Sequence, residues 1–261
     1  MRKTLSVLIL VLVATAAFSA PLTASWVEGK VEYGSGSAWK PVNIGDKIDS
    51  SQSVRLAAGA MAEFAEGNRR ISLSAPGTYS LDALVKAGAQ QSANRSSALG
   101  KLGKLVDPKA ADAATAIAGV RGAAQGEAET MWMTESEGGA ALAEEAKSFA
   151  REGRFSDAAS LFGQAAEAST GDERDGYVFS KAWSLAAGGA TIEAIKTLRA
   201  FAPAGADWAA QRGLLLARLD IDSGAGAEAR TILEQLLASG KLSGDDLELA
   251  KAMQVEAKAL K

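Results

Sequence analysis

Three small residues, Ala158, Ala194 and Ala229, recur at intervals of about 35 residues. This spacing constrains the fold more than any other feature of the chain. Around Ala158, residues Gly153, Phe155, Phe162 and Ala165 mark a turn and an amphipathic helix, and Leu142, Ala146 and Phe149 fall on a helix before it. One interval later come Ala182, Leu185, Gly189, Ala194, Leu198 and Phe201, with Pro203 as a stop; a third unit has Ala217, Gly224, Ala229, Leu233 and Leu236. A small residue lets two helices approach, a glycine makes the turn, and a large apolar residue fills the space between units. A helix pair of this kind cannot bury its apolar face alone, so neighbours stack. Residues 139–261 are therefore expected to form helical repeats. Asp245–Lys261 closes them as an amphipathic helix carrying Leu247, Leu249, Ala250, Met253 and Ala257. A plain antiparallel bundle is the alternative.

The motif Gly153, Phe155, Ala158 and Phe162, echoed by Ala194 and Ala229, resembles the tetratricopeptide repeat. The first unit matches well. The second and third are degenerate, and Gly226 stands where an aromatic residue is usual. The resemblance implies a solenoid whose concave face holds a peptide or protein partner.

Residues 24–81 change the period from helical to two. Val27, Val31 and Tyr33 alternate with Glu28, Lys30 and Glu32; Val54 and Leu56 alternate with Ser53 and Arg55; Ala60, Ala62 and Phe64 continue the pattern. Turn signals at Gly34–Ser37, Gly45-Asp46, Glu66–Asn68 and Pro76-Gly77 separate short strands. The pattern predicts a small β-sandwich or β-roll, with Trp39 as a large apolar body for its core. The ordered pieces Gly29–Val31, Trp39–Val42 (with Pro41), Gly45–Ile48, Ser53–Leu56, Ala62–Phe64, Glu66-Gly67 and Ile71–Leu73 resemble a FecR domain. A later piece around Gly119, Arg121 and Gly122 is similar to the strand that closes many such domains. The fold class expected is α+β in separate domains, an all-β unit followed by a helical solenoid.

Between the two lie residues 82–112, rich in Ala, Ser, Gln, Gly and Lys. Leu81, Leu84 and Val85 predict one short helix, and Leu99, Leu102 and Leu105-Val106 another, within an exposed insertion whose Lys101, Lys104 and Lys109 face solvent. Residues 113–138 read as closing strand and linker. There the Met131-Trp132-Met133 cluster is expected to pack the units together, with Trp132 as a contact residue.

Residues 1–19 read as a cleavable export signal, with an uncleaved membrane anchor as the alternative. Arg2 and Lys3 precede the apolar run Leu5–Val13, and small residues lead to a cut between Ser19 and Ala20. No later stretch is long and apolar enough to span a bilayer. The expected location is the periplasm or another exported space. The chain of 261 residues has no Cys and no His, which removes Cys/His zinc sites, thiol nucleophiles and imidazole-based triads. Its 28 basic and 31 acidic residues give a mildly acidic balance, unsuited to nucleic acid.

Motif look-alikes resolve into ordinary features. Gly224–Ala229 matches a dinucleotide fingerprint but sits between helical segments, and Gly100–Leu105 lacks the spacing of a phosphate loop. Asp245, Asp246 and Glu248 open a helix, where carboxylates favour the macrodipole. Glu135 and Glu137 flank a linker, and Glu63 and Glu66 have no partner acid for catalysis.

A non-enzymatic interaction or scaffold protein of the cell envelope is expected, without cofactor. It would hold a protein or peptide on its repeats and a surface component on its FecR-like unit. The FecR resemblance alternatively implies envelope signalling, although only Met1–Thr4 precede the apolar run, which argues against direct sigma-factor control. A third expectation is an envelope glycan or peptidoglycan ligand, with Trp26, Trp39 or Trp132 as stacking platforms.

Overall fold

The computed structural model describes residues 21–67, 69–107, 109–110 and 138–260. The export signal with Ser19 and Ala20, the Gly119, Arg121 and Gly122 piece, and Trp132 lie outside the described residues.

The N-terminal region is all β, in two antiparallel four-stranded sheets. Its strands are β1 (Leu22–Glu28), β2 (Val31–Ser35), β3 (Ala38–Pro41), β4 (Lys47–Ile48), β5 (Ser53–Leu56), β6 (Met61–Glu66), β7 (Arg69–Leu73) and β8 (Gly77–Ser80). One sheet has the order β4-β1-β6-β7 and the other β3-β2-β5-β8. Alternate residues of both sheets share a core of Leu22, Ala24, Val31, Ile48, Val54, Leu56, Ala62, Phe64 and Leu73. Gly29 turns β1 into β2 at φ 74°, and a Cβ there would stand 3.0 Å from Ala60 Cα. Only glycine meets both demands without strain.

Trp39 is not part of this core. It pairs with Gly34 across β2–β3, and Val31 and Tyr33 hold the core-facing register of β2. Trp39 therefore projects from the outer face, half-buried, under the Arg55 guanidinium at 4.4 Å from the ring centre. Glu32 fixes that guanidinium at 2.6 Å. Gly34 supplies the room: any Cβ there would collide with the Ala38 carbonyl.

The C-terminal region is helical. Following α1 (Leu81–Gly103) come α2 (Gly138–Arg151), α3 (Phe155–Glu167), α4 (Gly171–Ala187), α5 (Thr191–Ala200), α6 (Ala206–Asp222), α7 (Gly226–Ala238) and α8 (Gly244–Ala259). From α2 onward each helix packs on the next. Ala158, Ala194 and Ala229 are fully buried, each on the second helix of a pair, and Phe162 is buried with them. Gly153 makes the α2–α3 turn, and Phe155 opens α3 as a core residue. Gly226 has a reason of its own. A Cβ on it would stand 2.8 Å from Leu260 Cβ, so the glycine lets the end of α8 close over α7.

The stretch after β8 differs most from expectation. Instead of two short helices in an exposed insertion, it forms one helix of 23 residues, α1, capped by Ser80 accepting from the Ala83 amide. Its start belongs to the β core through Leu81, Leu84 and Val85. Its end belongs to the helical core through Ala98, Leu99 and Leu102, followed by Val106 and Ala110. Lys101, Lys104 and Lys109 are exposed, as expected for the outward side. Composition misleads here because the apolar surface that orders this segment comes from residues far along the chain.

Candidate functional site

The two regions meet along a seam, and that seam holds most of the chain's unusual chemistry. Its first element is a β-bulge. In β1, Ala24 pairs with Phe64 and Trp26 with Glu63, so the register slips by one residue between them. Residues two apart normally share a face. The slip leaves Ala24 in the β core and turns Trp26 outward, which is what a bulge does to a side chain. Glu63 lies on the same outward face yet is only 5% exposed, because the helices cover it. It accepts from Ser25 Oγ at 3.0 Å, Arg70 at 3.1 Å and Ser72 Oγ at 3.3 Å.

Trp26 meets α5 through Lys196, whose Nζ lies 5.4 Å from the ring centre and 2.9 Å from Glu28 Oε2. The hydrogen bond from Lys196 holds the Glu28 carboxyl below its ordinary range. Beside this contact opens a cleft of about 420 Å³, lined by Trp26, Ser156, Ala159 and Ser160 of α3, Lys181 and Leu185 of α4, and Glu193, Lys196 and Thr197 of α5. It brings together side chains from one strand and three helices.

Farther along the seam, Ser74 donates its amide to the Ser223 carbonyl at 3.1 Å, and the two hydroxyls share a hydrogen bond at 2.6 Å. Tyr79 packs against the α6–α7 turn at Gly224.

Beneath these contacts lies a buried ionic cluster. Arg218 is 1% exposed and donates to both oxygens of Glu256, at 2.7 and 2.9 Å, and to Asp222 Oδ1. The other Asp222 oxygen accepts no hydrogen bond; Arg95 Nε of α1 stands 3.9 Å away. Burial pushes the Asp222 carboxyl up, and the two arginines offset this only in part. Burial also lowers the Arg95 guanidinium, whereas Asp222 and Glu256 outweigh burial at Arg218 and hold it up.

Arg95 begins a series at four-residue intervals that runs along α1 and ends at Asp107, just past it. Its guanidinium donates to the Ala186 carbonyl at 2.6 Å and to Thr191 Oγ1 at 3.0 Å. Leu99 offers its carbonyl to Trp183 Nε1 at 2.9 Å. Gly103 lies against the Trp183 ring, and Asp107 pairs with Arg151. With the Arg95–Asp222 pair included, the contacts run from α6 through α4 to α2. Thus α1 crosses the first helices of two pairs, and the residues just past it reach the first helix of the remaining pair, at the ends where each turns into its second helix.

Asp220, one turn from this cluster, is 1% exposed and hydrogen-bonded to Arg199 at 3.1 Å. Burial raises its carboxyl to about 7, with Arg199 opposing and Glu228 assisting. A folded-state value above the unfolded one favours folding when the group is protonated. Its contribution is complete below about pH 4 and is lost as pH rises through about 7. Asp220→Asn is therefore expected to remove part of the stability decline between pH 5 and pH 8. Urea midpoints of both proteins across that range check it, and parallel curves would refute it.

The residues singled out in sequence are dispersed. Gly29, Gly45 and Gly67 lie at strand turns, Pro41 at the exposed end of β3, and the repeat residues in the helical core. Of them, Leu185 lines the cleft and the others do not. Among the expected stacking platforms, Trp26 lines it and Trp39 lies on the outer sheet face. Lys181, Lys196, Ser160 and the Arg95–Arg218–Asp222 cluster carried no local signal. The bulge did: the apolar positions Leu22 and Ala24 change parity at Val27. Among the described residues no group of three or more acids is arranged to hold a metal ion, and no helix is long and apolar enough to cross a membrane. Comparison with protein-family models, curated proteins and solved structures gives no significant match to the chain.

Proposed function

We propose that this chain is a non-catalytic interaction protein of the exported envelope space. In this reading a FecR-like β unit is tied to tetratricopeptide-like repeats, and the repeats engage a protein partner. The observation that carries it is the way the stack holds α1. Trp183 hydrogen-bonds its backbone at Leu99, Arg95 is gripped by Ala186 and Thr191, and Arg151 pairs with Asp107. A helical stack that orders a helix through backbone, apolar and ionic contacts has the chemistry that peptide recognition requires. Because α1 and the residues just past it cover the first helices near their turns, the partner is assigned to surfaces they leave open.

The test places a photo-crosslinking amino acid at exposed Glu145 of α2 and, separately, at exposed Lys251 of α8, in the full chain within its own cells. The expected result is the same envelope protein captured from at least one position and absent when crosslinking is done after mild unfolding. Capture of nothing specific at either position, or of cytoplasmic proteins only, would remove the reading.

A further inference from the structure

We infer that the cleft between Trp26 and helices α3 to α5 is a subsite for a neutral, polyhydroxylated ligand, a short saccharide. This goes beyond protein capture by the repeats. Lys196 is engaged with Glu28, but the other polar side chains of the cleft are unspent: Lys181, Glu193, Ser156, Ser160 and Thr197 make no side-chain hydrogen bond or ion pair with any described residue. They offer a cationic donor, an anionic acceptor and three hydroxyls that both donate and accept. A sugar ring matches such a mixture, because each of its hydroxyls also does both.

Other ligand classes fit less well. An apolar side chain would strip water from these groups and leave them unpaired, at a cost for each. A compact anion would face Glu193 and Glu28 as well as Lys181 and Lys196, so the signs nearly cancel. The indole of Trp26 and the side chain of Leu185 add an apolar wall for the C–H face of a ring. The volume of about 420 Å³ lies within the usual span of ligand clefts. The aromatic wall is set in advance, because the bulge sets the direction of Trp26 and Lys196 lies over its ring, and the polar groups project from helices.

Chitotetraose and cellotetraose titrated calorimetrically into the mature full-length chain provide the test. At least one is expected to bind saturably. Trp26→Ala and Lys181→Ala are each expected to weaken binding by about tenfold, and Trp39→Ala to leave it unchanged. Because Trp26 also belongs to the seam, Ser160→Trp is the decisive variant. Ser160 is exposed on α3, so an indole there fills the cleft while the unfolding midpoint stays in place. Loss of binding in that variant supports the subsite. Absence of saturable binding by both sugars, or binding that survives Ser160→Trp, overturns it. Neither outcome touches the crosslinking positions Glu145 and Lys251, so the two readings stand or fall separately.

Discussion

Replacing Gly103 by alanine is expected to destabilise the protein by about 1–3 kcal/mol, even though alanine is the better helix former. Intrinsic propensity alone favours the change by roughly 1 kcal/mol. The packing opposes it. A Cβ on Gly103 would stand 2.5 Å from Trp183 Cζ2 and 2.7 Å from Cε2. Those atoms have little freedom to move: Trp183 is fully buried, its Nε1 is tied to Leu99, and its ring meets Phe155 edge-on at 5.7 Å. Relief therefore requires α1 to lift from α4, which also disturbs Arg95 and Asp107. Urea unfolding followed by tryptophan fluorescence measures the loss. A variant as stable as the parent would show that α1 is not seated against Trp183.

A larger loss, about 3–5 kcal/mol, is expected for Arg218→Met. The methionine fills much of the same volume, so the effect isolates charge. Without Arg218, Asp222 keeps only the more distant Arg95, and its side chain is 7% exposed, too buried for water to substitute. Glu256 is a quarter exposed and can turn outward, so Asp222 accounts for most of the loss. Arg218→Met combined with Asp222→Asn is accordingly expected to lose less than Arg218→Met alone, a coupling that a double-mutant cycle reads directly. Equal losses in the single and double variants would place the cost elsewhere.

The parts of the fold that alternate against water were legible in sequence. Val54 and Leu56 against Ser53 and Arg55 describe β5 as it stands, and Ala158, Ala194 and Ala229 mark the buried side of three helices. Failure follows wherever a second surface arrives from far along the chain. Glu63 reads as a solvent-facing strand position, and would be one if the helices did not cover that sheet face. Gln90–Ser97 reads as the centre of a partly helical, exposed insertion, whereas the residues after it meet a tryptophan more than eighty positions later. Trp39 was expected inside on size alone; the pairing of Gly34 and the cation of Arg55 place it outside. The cleft was invisible for the same reason, since its four contributing elements are brought together only by the seam.

The seam also sets an order of assembly. The Ser74–Ser223 and Glu28–Lys196 contacts join residues 149 and 168 positions apart. Such long closures are entropically late events. A chain synthesised amino end first presents all eight strands well before α5 and α6 exist to meet them. In that interval Trp26 and Glu63 stand bare on an outer sheet face, one a sticky apolar plate and the other a carboxylate awaiting its cover. The vulnerable moment for this protein thus falls between completion of the β unit and arrival of α5 and α6.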